Sequence, residues 1–527
     1  MKTYQKHLSS VGEIKEIKDL NRKQVNRTSS IFPVFHSKKI SSRVLFMNYW
    51  LIKRGIKEMG LTITLRYFDG KILIRQNKIL TSAKAFEIKL IDLLKKVEIE
   101  NNDFVGSLET EFFSTVDLVF PYPAVVINYY NDYGSTFVHT AGRIYNNFED
   151  LIENDSILVK ESGFDIYSED RFNPFFSFTN GYSNEKSNII EVELLNENGL
   201  IIKEKIELGS LKPYETVVFY FKDYFPLKRL LKNSIGTVKV KHNLKGFFPR
   251  FICGNICKVT GLVSVTHSYY DNSNQLGLNS YMKNHNPKKL MDYSVFIPLF
   301  VENNFYTEMK IYPINSPSNY SLNLTFYSMK GKSLGKKEKI ISIDENHNTY
   351  NELKFLDIVN KLGIDAKDVK GVLIEQNFKN KNKIPSRLKY GLNIGEKKSK
   401  YDLPTNICFN SEPVNQYEIN KKGTFKWFPL INSSKSIAVI HNSCFIKDYS
   451  KSANIEISIY KVDSEDVIIK NIKLEAFQQY RLIIDFEIST FLNNKSGWVI
   501  LKSENPFIRA WYFDFNESGI IGGDHSF

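Results

Sequence analysis

Apolar and polar residues alternate in short runs along most of the chain, and a period of two sends successive side chains to opposite faces of a strand. "LTITLRYFDGKILI" around Gly70, "IIEVELLNENGLII" around Gly199 and "LNLTFYSMKGKSLG" around Gly331 each join two such runs through a turn. Asp-Gly and Asn-Gly supply the positive φ that a tight antiparallel turn requires. These stretches therefore predict hairpins, and "IEISIYKVDSEDVII" offers the same two runs without the glycine.

The hairpins belong to a larger repeat. An Asn follows an apolar run at Asn48, Asn180, Asn315 and Asn442, and an Asp lies 44, 43, 42 and 43 residues later at Asp92, Asp223, Asp357 and Asp485. A Gly then opens a further strand-like run at Gly106, Gly236, Gly371 and Gly497, and a proline follows at Pro123, Pro249, Pro385 and Pro506. Around each Asp the apolar residues recur at three- and four-residue intervals, which predicts a strand passing into a short helix with the Asp as its N-terminal cap. Each Asn is expected to bond the backbone of its own turn. Six or seven short strands in about 110 to 130 residues is the rhythm of a two-sheet sandwich.

The expected fold class is all-β: four tandem immunoglobulin-like β-sandwich modules with short helical insertions, preceded by a basic N-terminal tail. The boundaries fall at 1–43 for the tail, expected to be flexible, and at 44–150, 151–285, 286–412 and 413–527 for the modules. The third module is divergent and Lys-rich.

Composition agrees with this pattern. A chain of 527 residues exceeds one ordinary core, and 42% hydrophobic residues suffice to fill several; aromatic residues at 14% favour pleated, half-buried surfaces. Of the net charge of +13, more than half lies in residues 1–44, where ten Lys/Arg face Glu13, Glu16 and Asp19. A second basic run, Lys379–Lys400, contains Glu396 as its single acidic residue. Both runs suit a solvated surface and offer a weaker route to a polyanion partner. They lack the aromatic interleaving of single-strand nucleic-acid binders. The N-terminus has no apolar signal-peptide core, and no apolar run is long enough for a transmembrane helix. With Cys253, Cys257, Cys408 and Cys444 few and scattered, the expected location is cytoplasmic, non-classical export being the alternative. The C-x3-C pair in "CGNIC" reads as core thiols, since a structural zinc needs four ligands.

Candidate chemistry gathers at "TFVHTAGRIYNN", "VSVTHSYYDNS" and "GGDHSF". His139 and His267 share a face with Phe137 and with Val263 and Val265, and His525 aligns with Ile521, so each histidine is expected to close the end of its own sandwich. The third copy, "YDLPTNICFN", has none. The ligand-binding candidates are His139 and His267 with the polar and aromatic residues that follow them: Arg143, Tyr145, Tyr269, Tyr270 and Asp271. Tyrosine with Asp or Arg suits stacking and hydrogen bonding to a sugar. No catalytic residue, metal site or cofactor is expected. "DHS" has triad composition, yet neighbours on an extended chain point to opposite faces, and no phosphate-loop, dinucleotide or zincin motif occurs. The expected function is a non-enzymatic multi-module binding or scaffolding protein with a glycan or another protein as partner. The alternatives are a carbohydrate-active enzyme with an interdomain site and a polyanion-binding protein.

Overall fold

A computed structural model describes residues 25–118, 123–139, 142, 161–244, 250–270, 290–315, 318–380, 388–397, 399, 401, 403–415, 422–433, 435–444, 446, 449–516 and 519–527. The first module comprises β1 (Arg27–His36), β2 (Ser41–Met47), β3 (Met59–Tyr67), β4 (Ile72–Leu80), β5 (Ala85–Lys89), β6 (Phe104–Phe113), β7 (Val125–Asn131) and β8 (Gly134–His139). They form two antiparallel sheets in the orders β1-β6-β3-β4 and β5-β2-β7-β8. The same strand permutation recurs in three further modules, so the chain is nearly all β and built from paired four-stranded sheets. In the second and third modules small extra strands extend one sheet. Side chains from both of its sheets, Phe176 and Phe178 against Val192 and Val240, share one core, as expected of a sandwich.

Local chemistry explains several repeated residues. Asn180 donates from Nδ2 to the Ser183 and Lys212 carbonyls at 3.1 and 2.8 Å, and Asn442 to those of Lys451 and Leu474 at 2.8 and 3.2 Å. Each buried amide thus ties its own turn to the end of the hairpin. The Asp column is less uniform than its spacing suggests. Asp485 caps helix Phe486–Leu492 by accepting from the Ile488 amide, but Lys89 and Lys354 hold the cap positions of helices Leu90–Lys95 and Phe355–Lys361. Asp92 and Asp357 fall inside the first turn, and Asp223 lies in a 3-10 turn.

One expectation needs correction. Part of the stretch read as a basic tail is β1, which pairs with β6 along ten residues and buries Ile31, Phe32 and Val34. The charges counted there, Lys38, Lys39 and Arg43, flank its turn into β2 and obscure an apolar strand. Among the described residues no helix is long and apolar enough to cross a membrane.

The chain divides into two compact units: Asp19–Tyr270, with modules one and two, and Asp271–Tyr460 with Val467–Phe527, with modules three and four. Inside each unit the even module docks on the odd one through the same positions. In the first unit the Thr216 amide donates to the Phe68 carbonyl at 2.7 Å; in the second the Gln479 amide donates to Met329 at 3.0 Å. Phe68 and Met329 each lie two residues before a hairpin glycine, and those glycines abut the partner module's loop. A Cβ at Gly70 would lie 2.0 Å from the Pro213 carbonyl oxygen, and one at Gly331 2.4 Å from that of Ala476.

Strand register extends the match. Arg66 pairs with Ser107 as Tyr327 pairs with Gly371, and Pro33 and Pro298 flank the same two residues on the other side. Arg66 therefore occupies the place of Tyr327, and Glu109 that of Leu373. The Arg66 guanidinium lies 4.1 Å from the Tyr214 ring centroid, while Tyr327 stacks on Phe477 at 4.5 Å. Tyr214 and Phe477 both have positive φ, 59° and 62°. One docking scheme is thus built twice, with an ion pair in one unit and an apolar cluster of Phe296, Tyr327, Leu373 and Phe477 in the other.

Gly331→Val is expected to lower stability by about 2–3 kcal/mol, because positive φ and a close carbonyl both oppose a side chain. Gly363→Ala is the control: its φ is 67° but nothing lies within 4 Å of the added carbon, so only about 1 kcal/mol of backbone strain remains. Urea unfolding of the intact chain checks this. Equal losses for the two variants would remove docking as the cause.

Candidate functional site

The sequence candidates converge only in part. β8 lies alongside strand Val263–His267 of the second module, and His139 and His267 stand at their C-terminal ends. Their Nε2 atoms are 3.3 Å apart and their rings are nearly perpendicular, at 84°. His267 Nδ1 is 3.2 Å from Arg250 Nη1 and 3.0 Å from the Ser268 carbonyl oxygen. Both histidines are buried.

The expectation that each histidine closes a separate module is therefore corrected: edge strands of neighbouring modules pack together and bring the two rings into contact. One N–H···N hydrogen bond between the rings needs one proton, whichever ring carries it. Such a pair is suited to holding two strand ends in register.

His525 occupies the corresponding end of the fourth module, where its Nδ1 is 3.1 Å from the Ser526 carbonyl oxygen and its ring is 6.0 Å from that of Trp511. In the third module the corresponding strand, Ile407–Asn410, ends on an asparagine instead.

The remaining candidates do not join a described site. Tyr269–Tyr270 is a two-residue strand whose backbone pairs with Glu161–Ser162. Arg143, Tyr145 and Asp271 lie outside the described residues, as do residues 1–24 of the basic tail. The Lys379–Lys400 run is not a continuous solvated surface, because Lys389–Glu396 is a buried strand within it; residues 381–387, 398 and 400 lie outside the described ones. All four cysteines are buried and none is in a disulfide.

Sequence reasoning missed a cleft of about 460 Å³ between the two modules of the second unit. Its apolar lining comes from Phe300, Phe305, Ile437, Phe515 and Ile521, with Glu302, Asn303, Glu396, Lys435, Arg481 and Asn516 also exposed to it. Phe515 is 5.0 Å from Phe300 and 5.3 Å from Phe305 between ring centroids.

The fold brings these side chains together from separate elements. Phe300 and Phe305 bracket the turn after the first strand of module three, Leu290–Pro298. Ile437 and Arg481 belong to the adjacent strands Ser436–Asn442 and Gln479–Ile483 of module four, where Ile437 pairs with Ile483. Burial lowers the Arg481 pKa, opposed by the nearby Glu302. The guanidinium stays cationic at neutral pH, since an arginine starts so far above it. A pocket with an aromatic lining and a few convergent polar groups is suited to orienting a small ligand. The one available sequence signal was the "LFVENNF" turn, with two rings around an acidic, amide-rich loop.

No protein-family model matches the chain, and no curated protein matches it.

Proposed function

We propose that this chain is a multi-module binding protein for glycans, with the docked module pairs serving as rigid platforms. The observation that carries this reading is the cleft of the second unit. Phe305, the half-buried ring of the cleft, can take the C–H face of a pyranose, and carboxylate and amide groups beside it can bond the sugar's hydroxyls. A scaffolding role is compatible with the same platforms. The buried cysteines, none of them in a disulfide, support residence in a reducing compartment.

A glycan array with the intact chain tests the proposal. Binding is expected, weakened at least about tenfold by Phe305→Ala and unchanged by the double variant Tyr269→Ala, Tyr270→Ala, since a buried aromatic contact contributes more than about 1.4 kcal/mol. Binding lost only in the tyrosine variant would place the sugar site in module two. No binding to any glycan would overturn the reading.

A second reading, a carbohydrate-active enzyme, is favoured by one feature: Glu302 and Glu396 line the same cleft. Paired carboxylates are what glycoside hydrolysis uses. Release of reducing ends that is abolished by both Glu302→Gln and Glu396→Gln would support it over binding alone.

A further inference from the structure

We infer that the sugar held in this cleft is a sugar acid, a pyranose carrying a carboxylate that Arg481 receives. The inference rests on the glycan reading and adds the chemical class. Arg481 is half-buried, yet its guanidinium makes no hydrogen bond to any described residue. Its Nη1 is 3.9 Å from Glu302 Oε1, too far for a hydrogen bond, and its Nε is buried without a partner. Glu302 is engaged instead by Lys370 Nζ at 2.7 Å. What positions Arg481 is Phe300, whose ring centroid lies 5.0 Å from the guanidinium carbon.

A guanidinium has five donors in a fixed fork, and leaving a half-buried one unbonded is costly. A carboxylate matches that fork in shape and charge.

The first unit shows that docking does not require this arginine. Thr216 and Gln479 hold equivalent places, so two residues later Val218 corresponds to Arg481. Likewise Phe175 corresponds to Ile437, because each lies five residues before its module's repeated Asn, Asn180 or Asn442. In that unit Phe175 packs edge-on against Phe35 at 6.1 Å, where the second unit has the smaller Ile437 and the charged group. Both differences distinguish the cleft from the shared docking scheme.

The other lining groups narrow the class. Glu302 and Glu396 would repel a phosphate dianion more strongly than a single carboxylate, while hydroxyls can donate to them. Asn303 adds an amide that can serve as both donor and acceptor, whereas the Asn516 amide donates to the Ile520 carbonyl. An aromatic acid would use Phe305 and Arg481 but bring no hydroxyls to Glu396 and Asn303.

The test is titration of the intact chain, by calorimetry or saturation-transfer NMR, with glucuronic acid, N-acetylneuraminic acid and neutral methyl glucoside. Oligosaccharides ending in either acid form a parallel arm that separates a free monosaccharide from a glycan terminus. At least one acid is expected to bind at least about tenfold more tightly than methyl glucoside, the scale of one charge-assisted hydrogen-bond pair. Arg481→Gln should erase that preference without changing the melting temperature, and Arg481→Lys should restore only part of it. Equal affinity for acid and neutral sugars, or acid binding indifferent to Arg481→Gln, would overturn the inference. A chain that binds neutral glycans on the array but neither acid would overturn it alone; a chain that binds no glycan would remove the underlying reading as well.

Discussion

Replacing Arg66 by methionine is expected to destabilise the protein by about 3–5 kcal/mol at neutral pH, because it strands Glu109 as a buried charge. The two form an ion pair at 2.8 Å with side chains 3% and 4% exposed. Burial holds the Glu109 carboxyl above the usual carboxylate range, opposed chiefly by Arg66. A raised acid pKa means that the native state binds its proton more readily than the unfolded chain. Its contribution is most favourable below the unfolded value and is lost as pH rises through the folded one. Without Arg66 the folded pKa climbs further, so the deficit of the variant should shrink towards pH 4–5. A deficit independent of pH would assign the loss to the missing stack on Tyr214 instead.

The second unit supplies the rescue. Tyr327 and Leu373 occupy the positions of Arg66 and Glu109, so Arg66→Tyr combined with Glu109→Leu transplants an arrangement the same chain already uses. Buried ion pairs can often be replaced by packed apolar groups without loss. The double variant is therefore expected to lie within about 1 kcal/mol of the wild type or above it, given that tolerance for apolar replacement. Urea midpoints measured at pH 7 and pH 5 decide the matter. A double variant as unstable as Arg66→Met would contradict the equivalence of the two docking sites.

Acid is expected to unfold the protein well before its carboxylates are fully protonated, through His242 and His441. Burial pushes the His242 pKa down to about 4, and both ring nitrogens lack a hydrogen-bond partner among the described residues. His441 is held at about 3 by burial and then by Arg509, with Nδ1 2.8 Å from Ser443 Oγ and its ring 4.8 Å from Phe296. Both are therefore neutral in the native state. In the unfolded chain each takes a proton near pH 6.5, so stability is full above that value and falls as pH drops towards the folded pKa. The slope is about 1.4 kcal/mol per pH unit per histidine, or about 4 kcal/mol for the two between pH 6.5 and 5. His242→Leu and His441→Leu should each flatten the melting temperature across that interval. An unchanged pH profile in both variants would exclude these residues as its source.

What was legible in the sequence is what local geometry determines. Hairpin turns at Gly70, Gly199 and Gly331 needed positive φ, and all three glycines have it. Asp485 is a cap because its own helix begins one residue later. The remainder depends on contacts between modules, which periodicity does not encode. "SLETEFF" alternates as a strand with one solvated face, yet Glu109 and Glu111 are buried, with the second module's docking loop covering part of that face. The repeated glycine slips by one register place in module three, where Gly371 accommodates Phe296 and Gln479 instead of a strand carbonyl. His139 and His267 looked like independent residues until the two edge strands met. The cleft was least visible, because Phe300 and Arg481 share no local pattern.

The proposed sugar site lies between the modules of the second unit, and the first unit carries Phe175 and Val218 at the places of Ile437 and Arg481. Hydrogen–deuterium exchange of the intact chain, with and without an oligosaccharide ending in glucuronic acid, tests it most directly. Protection is expected in peptides containing Phe300 and Phe305, Arg481, and Phe515, with none in those containing Phe35, Phe175 or Val218. Protection confined to the first unit, or absent from both at saturating oligosaccharide, would contradict the account.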